Sequence, residues 1–397
     1  MQAAIINTET KKVTAPRRKI AIVTCCLEDW GGSEDLWWKT AMHLNSHGCK
    51  IMVLKNKINK CHSKYAELLT KGVLLHELDV VSAKSHRKWL LNAWKKIKYS
   101  DYYHLQKNFE RHLLSFKPDV VLISQGMNFD GMLYAYSCMK AGIPYSIVSH
   151  KAVEFYWPPH YDRAFISETF RNAHKCFFVS KHNLQLTEEQ LGFRFKNASI
   201  VKNPIRKFGK AILYPSTGNG FKLACIGRLL IIDKGQDILI RILSQQKWKE
   251  RSLEVSIIGT GVDEEGLKAM AALLNATNIK FKGHVDDMEA VWKEHHALVL
   301  PSRSEGLPLV VLEAMSAGRM VIATKAGGNE EVIEEDKTGF LGESNFLSFD
   351  AALEKAWQHR NAWEEMGKIA YQYALSNIPE KPETDFANTL TDLIYES

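Results

Sequence analysis

Short apolar runs recur from one end of this chain to the other, each followed by a helical stretch, and that alternation constrains the fold more than any other feature. The clearest runs are Lys19–Thr24, Ile51–Leu54, Asp119–Ser124, Pro144–Ser149 and Cys176–Ser180. A second series comprises Lys222–Ile226, Val255–Ile258, Ile279–Phe281, Ala297–Pro301 and Met320–Ala323. They are apolar throughout, as strands covered on both faces by helices must be, whereas a half-exposed strand would alternate. Strand–helix repetition of this kind predicts an α/β fold with parallel sheets.

The two series are separated by KAILYPSTGNGFK, residues 210–222, whose Pro, Ser, Thr, Gly and Asn make the clearest linker signal in the chain. With 397 residues, two domains are expected, each able to bury its own core. We expect a polar N-terminal tail over 1–18, a first doubly wound domain over 19–205 and a second over 206–377. Residues 378–397 are expected to form a helix that packs back on the first domain. Ligands of such sheets bind outside the carboxyl ends of the strands, so two facing domains would enclose a cleft.

Composition narrows the classes. No apolar run approaches the ~20 residues that a membrane span needs, and the start, MQAAIINTETKKVTAPRRK, lacks the apolar core of a secretory signal. The seven cysteines are scattered without a CxxC pair, and the fifteen histidines include no HExxH. That pattern argues against a disulfide framework or zinc site and for a cytoplasmic protein. The net charge of +7 favours anionic partners without choosing among nucleotides, acidic lipids and nucleic acid.

Several stretches can carry chemistry. After the first strand, Gly31-Gly32 permits a tight turn, with Ser33 as N-cap and Glu34 and Asp35 in the first helical turn. Its helix N-terminus can meet a phosphate; taken alone, the stretch reads rather as a glycine turn into a capped helix. At the start of the second domain, Arg228 leaves a strand tip and Lys234 precedes Gly235, so both cations can project toward a diphosphate or simply face solvent. The stretch Gly259-Thr260-Gly261 fails as a dinucleotide fingerprint, because Glu264 replaces the third glycine and Asp263, Glu264 and Glu265 would repel a pyrophosphate. In residues 302–324, Ser302 and Glu305 have capping-box spacing, Pro308 suits the first helical turn, and Gly318 suits the C-terminal cap. The N–H groups of Gly306, Leu307 and Leu309 would then face the cleft. Glu313 lies amid apolar neighbours, where an ionised carboxylate is costly unless something pairs with it; two vicinal hydroxyls of a ligand would do so.

In this order, Gly31-Gly32-Ser33-Glu34, His150, Asn203-Pro204, Gly227-Arg228…Lys234-Gly235, Glu305…Glu313 and Gly327-Gly328…Glu331 resemble the retaining family-4 glycosyltransferases of GT-B fold. The resemblance runs over roughly residues 19–340, and the paired glutamates are its specific part. It implies that Glu305 binds donor-sugar hydroxyls, Glu313 binds the nucleotide ribose, and Arg228 and Lys234 neutralise the leaving diphosphate. It further implies that Gly31 and Gly32 approach that phosphate, that His150 sits beside the transferring sugar, and that His284 and Val285 lie by the base. The donor would be a UDP- or GDP-sugar of hexose type, and the acceptor a glycan, a lipid-linked saccharide or a small molecule. One departure is Arg319-Met320 after Gly318, where the family commonly has proline; it should affect the turn more than the site. Another is the aromatic segment KAVEFYWPPHYDR after Ser149-His150, which matches no family pattern.

No Asp-x-Asp triplet occurs, which fits a transferase needing neither a metal nor another cofactor. Residues 84–98, KSHRKWLLNAWKKIK, place Leu90, Leu91, Trp94 and Ile97 on one helical face beside lysines and arginine. That pattern suits an anionic membrane surface, or a helix packed on its own sheet with a basic rim. Nucleic acid is not expected, since aromatics are not interleaved with the basic residues elsewhere. A GT-B-fold epimerase and a non-catalytic nucleotide-sugar-binding protein remain as alternatives.

Overall fold

A computed structural model describes residues 18–78 and 100–396; the basic stretch at 84–98 lies outside the described residues. Two parallel sheets divide the chain. The first contains β1 (Lys19–Thr24), β2 (Lys50–Lys55), β3 (Leu74–Glu77), β4 (Val120–Gln125), β5 (Tyr145–Ser149), β6 (Lys175–Phe178) and β7 (Ala198–Ile200), in the order β3-β2-β1-β4-β5-β6-β7. The second contains β8 (Phe221–Ile226), β9 (Leu253–Ile258), β10 (Ile279–Gly283), β11 (Ala297–Leu300), β12 (Met320–Thr324) and β13 (Gly339–Gly342), in the order β10-β9-β8-β11-β12-β13. Every strand pairing within both sheets is parallel. The α/β expectation of two Rossmann-like domains is therefore met.

The central strands are apolar on both faces because helices cover both faces. Ile20, Ile22, Val53, Val120 and Leu122 enter one core while Ala21, Val23, Met52, Val121 and Ile123 enter another on the opposite side of the first sheet. In the second sheet, β11 splits in the same way, with Leu298 and Leu300 on one side and Ala297 and Val299 on the other. Strand order reverses between β1 and β4 in the first sheet and between β8 and β11 in the second. A crevice opens at such a reversal, outside the carboxyl ends of the strands.

The C-terminal Pro382–Glu396 helix packs on the Glu34–Ser46 helix of the first domain. Phe386 meets Phe177 edge-on at 4.9 Å, and Thr40 Oγ1 donates to the Glu383 carbonyl at 3.3 Å. Among the described residues, no helix is long and apolar enough to cross a membrane.

Arg319, just after Gly318, is 1% exposed. Its guanidinium donates to the carbonyls of Trp292, His295, Ala317 and Gly318 and, through the interdomain linker, to those of Ile212 and Leu213. Burial lowers its pKa to about 10, so the group stays charged at neutral pH. A planar fork of five N–H donors suits this task and an ammonium does not. Arg319→Ala should therefore lower stability by about 3–5 kcal/mol, since it strands several buried carbonyls. Arg319→Lys should recover only part of that loss, both read from thermal and urea unfolding.

Candidate functional site

The loops that leave the carboxyl ends of β8 and β11 meet at the reversal point of the second sheet. Lys234 Nζ donates to Glu305 Oε1 at 2.6 Å, and Ser302 Oγ donates to the same oxygen at 2.6 Å. Glu305 is 6% exposed. Gly235 makes the turn possible: it has φ +61°, and a Cβ there would lie 2.1 Å from the Pro301 carbonyl oxygen. Arg303 ties the two loops together. Its guanidinium grips both oxygens of Asp237 at 2.6 and 2.9 Å, while its backbone N–H donates to the Asp233 carbonyl at 2.8 Å.

The capping-box reading of Ser302 and Glu305 is corrected. Glu305 is not a helix cap: the helix begins at Leu309, with Pro308 in the N-cap position, and Ser302 serves the Glu305 carboxylate instead of a backbone N–H. The Gly259–Gly261 stretch props the neighbouring loop. Leu229 donates its N–H to the Thr260 carbonyl at 2.9 Å, and the Ile231 N–H donates to Asp263 Oδ2 at 2.7 Å.

Glu313 is the fifth residue of the Leu309–Ser316 helix and is partly buried. Burial pushes its carboxyl up to about 7. The Arg206 guanidinium and an N–H of the same residue pull it down, and Asp35 of the first domain adds to the rise. Arg206, two residues after the Asn203-Pro204 pair, was not singled out in the sequence, where nothing marks its nearness to Glu313.

The first domain supplies the opposite wall. His150 follows β5 and is 6% exposed, with Nε2 3.4 Å from Ser124 Oγ and Nδ1 without a hydrogen-bond partner. Burial lowers its pKa to about 4, against the influence of Asn203, so the ring is neutral at pH 7. A Cβ on Gly306 would lie 1.8 Å from the His150 carbonyl oxygen, so the two domains touch here with no room for a side chain. Gly31 lies beside Cys26, and Gly32 faces Leu309 of the second domain. Ser33 does not cap the helix that follows. Glu34 is completely buried, accepts from Thr24 Oγ1 at 2.6 Å and pairs with Lys55 at 3.3 Å. Lys55 also donates to the carbonyls of Glu28 and Asp29, which anchors the glycine loop.

Arg228 pairs across the cleft with Glu28 and stands 3.8 Å from Asp233. Lys151 crosses the same gap to Asp233 at 2.9 Å. The two residues expected by a base diverge: Val285 packs against the core, while His284 is exposed and lies 3.0 Å from Asp286. A cavity of about 290 Å³ opens between the domains, lined by Lys181, Lys202, Asn203, Leu307, Leu309 and Leu312 among others. It shares Leu307 and Leu309 with the candidate set, whereas Arg228, Lys234 and Glu305 lie outside its lining. Among the described residues, no group of three His, Cys, Asp or Glu side chains is arranged to hold a metal ion.

Residues 220–359 match the family of group 1 glycosyl transferases. Over longer stretches the chain is 25% identical to the protein CapJ of Staphylococcus aureus, covering 71% of this chain and 75% of that one. It is 26% identical to an uncharacterised glycosyltransferase of Methanocaldococcus jannaschii, covering 72% and 74%. The structure of Anabaena HepE in complex with UDP superposes with a TM-score of 0.69 at 16% identity, covering 94% of this chain and all of that one. The fold is GT-B.

Glu313 yields a pH signature. Its carboxyl titrates higher in the folded state than in the unfolded chain, so folding favours its protonated form and stability falls as pH rises from about 4.5 to 7. Glu313→Gln should remove that penalty. Its stability relative to the parent should rise between pH 5 and pH 8 by up to about 3 kcal/mol, measured by urea unfolding at both pH values.

Proposed function

We propose that this protein is a retaining glycosyltransferase that moves a hexose-type sugar from a UDP- or GDP-sugar to a glycan, lipid-linked or small-molecule acceptor, in polysaccharide or glycoconjugate biosynthesis. The observation that carries the reading is the contact of Lys234 with Glu305 at the strand-order reversal, with the desolvated Glu313 on the helix that follows. A diphosphate fits between the cations and the helix N-terminus at Leu309, where N–H groups and the helix dipole favour negative charge. Glu305 then receives the sugar hydroxyls and Glu313 the ribose hydroxyls, which would offset the cost of burying its charge. The UDP of HepE is consistent with a donor of this class.

Chemistry follows from charge placement. As the bond from the anomeric carbon to the diphosphate breaks, Arg228 and Lys234 meet the developing negative charge, without a divalent metal. Arg228 is free to do so because its pairing with Glu28 is half exposed, and such pairs are weak. The acceptor oxygen attacks from the same face, and its proton passes to the departing phosphate oxygen. His150, neutral and with Nδ1 unpartnered, is suited to hydrogen-bond the transferring sugar.

A thermal-shift panel of nucleotide sugars should identify one that stabilises the protein by mass action. Lys234→Ala and Glu305→Ala should each reduce transfer by on the order of 10²–10³-fold while unfolding remains cooperative. Full activity of both variants would sink the assignment, as would inversion of the product's anomeric configuration by proton NMR. Turnover of the donor without acceptor would indicate an epimerase, and binding without turnover a sugar-binding protein.

The basic stretch at 84–98 suits peripheral contact with an anionic membrane, where a lipid-linked acceptor would be met. Flotation with phosphatidylglycerol liposomes should carry the protein upward at low salt. A protein that stays at the bottom under those conditions removes the membrane contact.

A further inference from the structure

The loop after β5 carries aromatic side chains that neither the fold nor the proposed donor site uses. Phe155 is 63% exposed, Trp157 53% and Tyr161 72%. These three large exposed aromatics thus fall within seven residues of one loop.

We propose that Phe155, Trp157 and Tyr161 form a stacking platform for the sugar rings of a glycan acceptor, a reading that rests on the glycosyl transfer proposed above. Three observations carry it. The first is position. The loop starts at His150, whose carbonyl touches Gly306, and continues through Lys151, which reaches Asp233 beside Lys234. Glu154 then contacts His182 at 3.1 Å, and the His182 N–H donates to Glu331 of the second domain at 2.9 Å. The aromatics thus follow within a few residues of a segment that contacts the second domain beside the proposed transfer site.

The second observation is rigidity. Trp157 Nε1 donates to the Glu154 carbonyl at 3.0 Å, and the Tyr156 N–H donates to Val153 at 3.1 Å. Beneath them, buried Gln190 donates to the Val153 carbonyl at 2.8 Å and accepts from Asn128 at 2.6 Å, while Arg163 donates to its carbonyl. The Trp157 ring is held in place in advance and so loses little freedom on binding.

The third observation is charge. Both cations of the segment are committed inward, Lys151 to Asp233 and Arg163 to Gln190. A lipid surface of anionic headgroups is met by free lysines and arginines, and this segment offers none. A pyranose presents a face of C–H groups that fits the negative face of an aromatic ring and needs no ionic partner. The occupant that matches is a saccharide chain.

The test uses the full chain and oligosaccharides of two to four residues in gluco, manno, galacto and N-acetylglucosamine configuration, titrated calorimetrically. At least one should bind the parent protein. Phe155→Ala, Trp157→Ala and Tyr161→Ala should each weaken that binding about 10- to 30-fold, Trp157→Phe should retain most of it, and thermal shifts with nucleotide sugars should be unchanged. Absence of saccharide binding by the parent overturns the proposal, as do variants that bind like the parent. So does a loss confined to phosphatidylglycerol vesicles. If a saccharide binds through these rings while no nucleotide sugar stabilises the protein, the platform stands and the donor reading falls.

Discussion

The close approach of the two sheets, at the point where Gly306 lies against the His150 carbonyl, is the constraint on which the rest of this molecule depends. Every strand in each sheet is parallel, so all the loops that follow strands emerge at one edge. When two such edges face each other, backbone and helix N-termini converge from both sides, and little space remains for side chains. Glycine at 306 admits the contact. The pairs Lys151–Asp233 and Arg228–Glu28 then span the gap, and the C-terminal helix returns to pack on the first domain.

Buried charge is handled in two ways. Arg319 and the Glu34–Lys55 pair are surrounded by partners and hold the scaffold: the first clamps the linker, the second anchors the glycine loop. Such groups are costly if a partner is removed and quiet otherwise. Glu313 and His150 are different. Desolvation shifts both away from their charged forms, and His150 keeps an unpartnered nitrogen. Desolvated groups of this kind are where a ligand has most to offer. The two kinds of burial therefore separate the scaffold from the groups we assign to a site.

Much of this arrangement is legible in residue order. The central strands were readable because a parallel strand buried on both faces is an unbroken apolar run, as in KIAIVT. The strands missed, β3, β7 and β13, lie at or next to sheet edges and are short, and LLHE and GFLG offer no such run. The glutamates, Arg228 and Lys234 stood out by spacing. Ser302 was misread as a helix cap, and Glu34, in the first helical turn as read, gave no sign of its pairing with Lys55, because spacing to a backbone N–H looks the same whether or not a cation waits nearby. In both cases that cation, Lys234 or Lys55, comes from a different strand's loop or strand end.

The sequence by itself determined the α/β class, the division into two domains and the residue types that crowd the cleft, since periodicity and turn chemistry are local. Tertiary structure decided what each charged residue answers to. It made Glu305 the partner of Lys234, Glu34 the partner of Lys55, and Arg319 the clamp on the linker. It also set Glu313 beside Arg206 and Asp35. The reason is that desolvation and Coulomb interaction depend on distance through space, and the residues involved lie tens to hundreds of positions apart along the chain.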